Sequence, residues 1–194
     1  GGADFDCAGN CGGTALFGDI DGNNALEEND INSYLTQILN TASAASCYDL
    51  NDNELVDVQD AVLAYNCLNG EPTDCDFPKV LEISVGNGSL LLYEVFGGDT
   101  SRFRLEVNTE SVVLGGYHVR LQSESPPISI DNADQFQYNY DYPFLDIIGI
   151  NTNNESSINL TFLNNQVDTI CIAEVIEIVD IEGKSINTTI GSPN

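Results

Sequence analysis

Two stretches of this chain place oxygen-bearing side chains at a spacing that suits a hard divalent cation. They are Asp19-Ile-Asp-Gly-Asn-Asn-Ala-Leu-Glu-Glu-Asn-Asp30 and Asp49-Leu-Asn-Asp-Asn-Glu-Leu-Val-Asp-Val-Gln-Asp60, an internal repeat offset by 30 residues. In both, Asp, Asn or Glu occupies positions 1, 3, 5, 9 and 12. Calcium takes six to eight oxygens at roughly 2.3–2.6 Å, and a 12-residue loop supplies them at this spacing, with position 7 giving its main-chain carbonyl. One expected cage is therefore Asp19, Asp21, Asn23, Asp30 and the Ala25 carbonyl. The other is Asp49, Asn51, Asn53, Asp60 and the Leu55 carbonyl. Glu27 and Asp57, at position 9, would act directly or through water. Position 6 needs a turn with positive φ, which Asn24 accommodates and Glu54 adopts at a cost, so the second site is the weaker of the two. The competing reading makes these loops solvated acidic turns, with Asp30 and Asp60 as helix N-caps.

The charge of the whole chain fits a cation partner. Its 194 residues carry 31 Asp plus Glu against 5 Lys plus Arg, a formal charge of −26. Such a surface repels phosphate backbones and anionic lipid heads, which argues against nucleic-acid binding and electrostatic membrane association. No apolar run approaches a membrane span, so direct membrane insertion is not expected. The absence of an initiator Met and of a secretory leader suggests numbering from a processed end. Six Cys without paired C-x2-C spacings, and with one His in the chain, read as disulfides and not as a zinc site. The residues are Cys7, Cys11, Cys47, Cys67, Cys75 and Cys171. Cys47 with Cys67 and Cys75 with Cys171 are the preferred pairs, and an oxidising, extracellular compartment follows.

Each acidic loop precedes an amphipathic helix. Ile31, Tyr34, Leu35, Ile38 and Leu39 form one apolar face, and Val58, Ala61, Val62, Tyr65 and Leu68 a second. Residues 1–78 hold 15 acidic side chains and no Lys or Arg, whereas residues 79–194 hold the other 16 acids and all five cations. That shift divides the chain into a Cys/Gly-rich tail (1–14), a helical calcium-binding module (15–69), a linker (70–78) and a strand-rich domain (79–194). In the last part, apolar residues alternate with period two along Leu81 to Val85, Phe103 to Val107, Tyr117 to Leu121, Phe136 to Tyr140 and Ile158 to Phe162. Ser89 to Phe96, Phe144 to Ile150, Thr169 to Val179 and Ser185 to Ile190 bring the total to about nine strands. The expected fold is mainly β, an antiparallel sandwich with a small α module. Gly97-Gly98 and Gly115-Gly116 read as hairpin turns.

The duplicated loop-helix pattern between Ala15 and Asn69 resembles the dockerin family, whose calcium loops usually end in Asp at position 12, as Asp30 and Asp60 do here. The resemblance implies EF-hand-like paired helices that bind a protein partner. Its recognition positions 10 and 11 fall on Glu28-Asn29 and Val58-Gln59, which are not the hydroxyl pair common in that family, so partner identity does not carry over. The strand-rich part is similar to the cohesin-type sandwich that receives dockerins, through Arg102 to Val107, Gly116 to Ile128 and Thr169 to Lys184. An immunoglobulin-like sandwich would read almost the same.

A plug and its socket in one chain imply head-to-tail homo-oligomers that close into rings or run on as filaments. Arg102, Arg104, His118 and Arg120 would offer a cationic patch to a neighbour's acidic module. Donation of residues 1–5 or 185–190 to a neighbour's sheet is a second route. The alternative is a monomeric adhesion or carbohydrate-binding module docked by its dockerin-like half onto a separate scaffold. Asn87, Asn154, Asn159 and Asn187 each begin an N-x-Ser/Thr triplet, so covalent glycans are expected on the sandwich. No nucleophilic triad assembles around His118, which reads as a surface or packing residue, and no catalytic residue is assigned. The overall expectation is a secreted, calcium-stabilised structural subunit and not an enzyme.

Overall fold

The computed structural model describes residues 18–40, 48–70, 86–96, 101–131, 135–164 and 170–191. Two helices precede nine strands among them: α1 (Glu28–Leu39), α2 (Val58–Asn69), β1 (Asn87–Phe96), β2 (Ser101–Glu110), β3 (Leu114–Gln122), β4 (Ser129–Asp131), β5 (Gln135–Asp141), β6 (Phe144–Ile150), β7 (Ser157–Asn164), β8 (Cys171–Asp180) and β9 (Asn187–Ile190). Cys7, Cys11, Cys47, Cys75, the expected strand at 81–85, Gly97-Gly98 and nearly all of the expected linker lie outside the described residues.

The strands form two sheets, ordered β4-β7-β2-β1-β9 and β5-β6-β3-β8. Period-two alternation does the work in most of them. Phe103, Leu105 and Val107 of β2 turn inward to meet Tyr117, Val119 and Leu121 of β3, with Leu145, Ile147, Leu160 and Ile178 completing the layer between the sheets. Burying such aliphatic and aromatic side chains contributes roughly 1.5–3 kcal/mol each. The pairing is antiparallel except at β1 and β9, which run parallel from Asn87↔Asn187 to Leu90↔Ile190, so the sandwich is mixed where an antiparallel one was expected. β4, three residues at a sheet edge, is too short to show a periodic signal.

Gly115 and Gly116 lie inside β3, not in a turn. A Cβ on Gly115 would come 2.1 Å from the Asp180 carbonyl oxygen. One on Gly116 would come 2.8 Å and 2.9 Å from methyl groups of Val58 and Val62. Both glycines are close-approach positions.

That second contact reveals the placement of the helices. β3 is buried along nearly its whole length, because its inward face lines the sandwich core and its outward face meets α2 at Gly116, while α1 lies over the neighbouring β5 and β6. Ile31, Tyr34 and Leu35 of α1 and Val58, Ala61 and Val62 of α2 share a second core with Ile148, Ile150 and Val179 of the four-stranded sheet. The apolar stripes that each helix cannot bury alone are thus closed by each other and by the sheet.

A duplicated acidic cage on the outer face of the sandwich

The two loops share most of their hydrogen bonds, the bond from Gly22 to Asp19 having no counterpart in the second. In the first, Asp19 accepts the amide protons of Gly22 (2.8 Å), Asn23 (3.1 Å) and Asn24 (2.7 Å). Asp30 accepts from Ile20 at 2.8 Å and Glu27 at 2.9 Å, and Asn23 Oδ1 accepts from Ala25 N–H at 2.8 Å. In the second, Asp49 accepts from Asn53 (3.0 Å) and Glu54 (2.8 Å). Asp60 accepts from Leu50 at 2.7 Å and Asp57 at 2.9 Å, and Asn53 Oδ1 accepts from Leu55 N–H at 2.8 Å. Asn24 and Glu54, at position 6, both adopt positive φ, +66° and +71°, the conformation that the loop spacing requires.

The helix N-caps are Glu27 and Asp57, while Asp30 and Asp60 stand at the third helical position and reach back to the cap amides in capping boxes. Asp30 and Asp60 are fully buried, and Asp19 is 5% exposed. This corrects the picture of solvated turns capped by Asp30 and Asp60.

Carboxylate oxygens of Asp19, Asp21 and Asp30 gather within 4.8 Å of one another. In the second loop Asn53 N–H donates to Asp49 at 3.0 Å and to Asn51 Oδ1 at 3.1 Å, Asn53 Nδ2 reaches Asp57 at 3.4 Å, and Asn51 is wholly buried. Burial pushes Asp60 up to about 7, and the neighbouring Asp57 and Asp49 charges push the same way against its amide hydrogen bonds. Burial likewise raises Asp57. Between the loops the phenol of Tyr34 is fully buried, its hydroxyl without a partner; burial and then Asp60, Tyr48, Asp30 and Asp49 drive its ionisation upward. Crowded carboxylates in a poorly solvated place are unfavourable unless a positive charge joins them. All donors are oxygens, the set that calcium prefers. Asp19, Asp21, Asn23, Asp30 and the Ala25 carbonyl would hold one ion; Asp49, Asn51, Asn53, Asp60 and the Leu55 carbonyl would hold the other.

The second loop also touches the sheet. Gln59, at loop position 11, donates from Nε2 to Glu177 Oε1 of β8 at 2.7 Å and to Ser185 Oγ at 2.6 Å. Ser185 Oγ in turn donates to Glu177 at 2.7 Å. Gln59 Oε1 accepts from Asn51 Nδ2 at 2.7 Å, so a cage residue is one hydrogen bond from the docking contact. Asn66 donates to the Ile181 carbonyl at 2.6 Å farther along α2. Burial, and then the charge of Asp57, pushes Glu177 up to about 7 against the hydrogen bonds from Ser185 and Gln59. Gln59, Glu177, Ser185 and Gly116 share no local sequence signal, because Gln59 meets Glu177 and Ser185 across 118 and 126 positions and Gly116 meets a helix from a distant part of the chain.

The other expected residues are distributed differently. Arg102 and Arg104 lie on β2 of the five-stranded sheet, whereas His118 and Arg120 lie on β3 of the opposite sheet, so they do not form one cationic patch. His118, 9% exposed, shares the outward face with its register partner Ile148. Arg120 is paired with Asp146 through Nε at 2.7 Å and approaches Glu174 at 3.6 Å. Cys171 is an exposed free thiol at the start of β8, which overturns its pairing with Cys75. Cys67 is disulfide-bonded. Residues 187–190 are β9, already paired with β1 of their own sheet, and so are not a free strand for donation. Asn87, Asn154, Asn159 and Asn187 are all exposed.

The fold and the site define a mainly β two-sheet sandwich that carries a duplicated acidic loop-helix pair on one outer face. No family model and no curated protein matches the chain. Among solved structures, a non-cellulosomal cohesin from the archaeon Archaeoglobus fulgidus aligns at 16% identity over 55% of this chain and 88% of its own, with a TM-score of 0.37. A complex of a type II cohesin with an X-dockerin from Acetivibrio cellulolyticus contains a chain that aligns at 12% identity over 56% and 97%, with a TM-score of 0.39. The chitin-binding domain of a Pyrococcus furiosus chitinase aligns at 16% identity over 55% and 98%, with a TM-score of 0.33. No helix among the described residues is long and apolar enough to cross a membrane.

Proposed function

We propose that this protein is a secreted, non-enzymatic structural subunit whose calcium-loaded, dockerin-like helix pair plugs a cohesin-like sheet, and that the same contact made between copies joins subunits head to tail into a filament or surface layer. The observation that carries this reading is the fit of α2 onto β3 and β8. Gly116 admits Val58 and Val62, and Gln59 reaches Glu177 and Ser185. Plug and socket belong to one sequence, so any copy offers the matching half to any other.

Exchange between copies preserves every contact and changes only the connection. Residues 70–86 separate α2 from β1, and these 17 positions span at most about 56–61 Å when extended. A tethered plug experiences an effective concentration in the millimolar range. The closed monomer therefore dominates in dilute solution, and open chains form where secretion concentrates the protein at a surface. Calcium in the two loops neutralises the buried carboxylates and holds the helix pair in the shape that docks.

The test is sedimentation velocity across about 10 μM to several millimolar protein, with calcium and with chelator, on the wild type and on a variant shortened within residues 71–78. The shortened chain is expected to form calcium-dependent chains at lower concentration than the wild type. A shortened chain that stays monomeric throughout with its helices folded would refute assembly through this contact.

A further inference from the structure

The four N-x-Ser/Thr triplets are unevenly placed on the folded chain. Leu90, Leu105, Val107 and Leu160 point into the core between the sheets, so Asn87 and Ser89 of β1 and Asn159 of β7 point outward from the five-stranded sheet by alternation. Asn159 is the register partner of Glu106, between inward Leu105 and Val107. Asn187 and Thr189 of β9 are the register partners of Asn87 and Ser89 in a parallel pair, and so share that outward face. Asn87, Asn159 and Asn187 are exposed, as is Asn154 in the turn before β7. The helix pair covers the outer face of the other sheet. Three acceptor sites therefore lie on the side of the sandwich away from the docked helices.

The Asn87–Asn187 pair carries a constraint. Paired strands lie about 4.8 Å apart, and side chains stand roughly perpendicular to the sheet. The two amides leave the surface side by side, at a shallow cleft lined also by Glu110 and Thr188. A glycan is bulky compared with that spacing, so two cannot be seated while β9 remains paired with β1. We infer that the outer face of the five-stranded sheet is an N-glycan-bearing face, with an oligosaccharide on Asn159 and on one member of the Asn87/Asn187 register pair, never both.

In the attachment step, Asn Nδ2 bonds to the anomeric carbon of an oligosaccharide carried on a lipid diphosphate. The bond from that carbon to the diphosphate oxygen breaks, the lipid diphosphate leaves with the electron pair, and Nδ2 gives up one proton. Sugars on this face leave the helix-bearing face free and prevent lateral stacking of five-stranded sheets.

The full chain secreted from an N-glycosylating host, analysed by intact mass and glycopeptide mapping, tests the inference. Asn87→Gln and Asn187→Gln, made singly, are expected to keep the parent's maximum number of glycans. The double variant and Asn159→Gln are each expected to carry one fewer. A molecule bearing sugar at both Asn87 and Asn187, a loss of one glycan in either single variant, or no sugar on any of the three asparagines overturns it. All these substitutions are at exposed positions, and a thermal melt of each secreted variant checks that the fold is retained.

Discussion

Gly116→Ala places a methyl group where α2 rests on β3. The new carbon would sit 2.8 Å from a Val58 methyl, 2.9 Å from a Val62 methyl and 3.2 Å from the Gly149 carbonyl oxygen. Ordinary carbon–carbon contact is about 3.5–4.0 Å, so the helix must retreat by several tenths of an ångström to about 1 Å, or β3 must bend. β-branched valines have little rotamer freedom in a helix with which to yield. Overpacking of this kind costs about 1–3 kcal/mol, and a chain of this size loses roughly 2–4 °C of melting temperature per kcal/mol. Val62→Ala removes one of the clashing methyls and by itself costs about 1–3 kcal/mol as a cavity. A double-mutant cycle in urea, in calcium, is therefore expected to show the pair less destabilised than the sum of the singles by at least 1 kcal/mol. Additivity within about 0.5 kcal/mol, or a Gly116→Ala variant as stable as the wild type, would refute the docking of α2 on this sheet.

Glu177 and Gln59 probe the polar half of the same contact. Glu177 is raised in the folded state from its ordinary 4.5 to about 7, so its contribution to stability is complete below about 4.5 and is lost as pH rises through about 7. Glu177→Gln should remove that decline and stabilise the protein at pH 8 by on the order of 1–3 kcal/mol. Melting curves at pH 5 and pH 8 that run parallel for the two proteins would contradict this. Gln59→Ala strips two donated bonds and one accepted bond from the junction of cage and sheet, and is expected to cost about 1–2 kcal/mol in denaturant unfolding. No change in the urea midpoint would show that the junction carries no stability.

What the sequence made legible is what local spacing determines. Asp30 and Asp60 recur in the same loop frame, and positions 24 and 54 need positive φ because a tight 12-residue loop turns there. The alternation of Phe103, Leu105 and Val107, or of Tyr117, Val119 and Leu121, marks the inward faces of strands. Contacts between distant segments leave no such signature. Gly115-Gly116 has the composition of a turn and serves close approach within a strand, because its partners are Asp180, Val58 and Val62. Arg102, Arg104, His118 and Arg120 share an alternating pattern, yet β2 and β3 belong to different sheets. The parallel pairing of β9 with β1 likewise follows from chain topology. Gln59 meets Glu177 across 118 positions, and no window of local sequence contains both.

In the proposed reading, two repeated acidic loops take up calcium and so complete a helix pair shaped for the sheet. Calorimetric titration of the full metal-free chain with calcium tests it most directly, with Asp30→Asn and Asp60→Asn alongside. The expected result is binding at two sites with a gain in helical signal, one site failing or weakening in each variant. Absence of binding heat at millimolar calcium, or an unchanged titration in both variants, would contradict it.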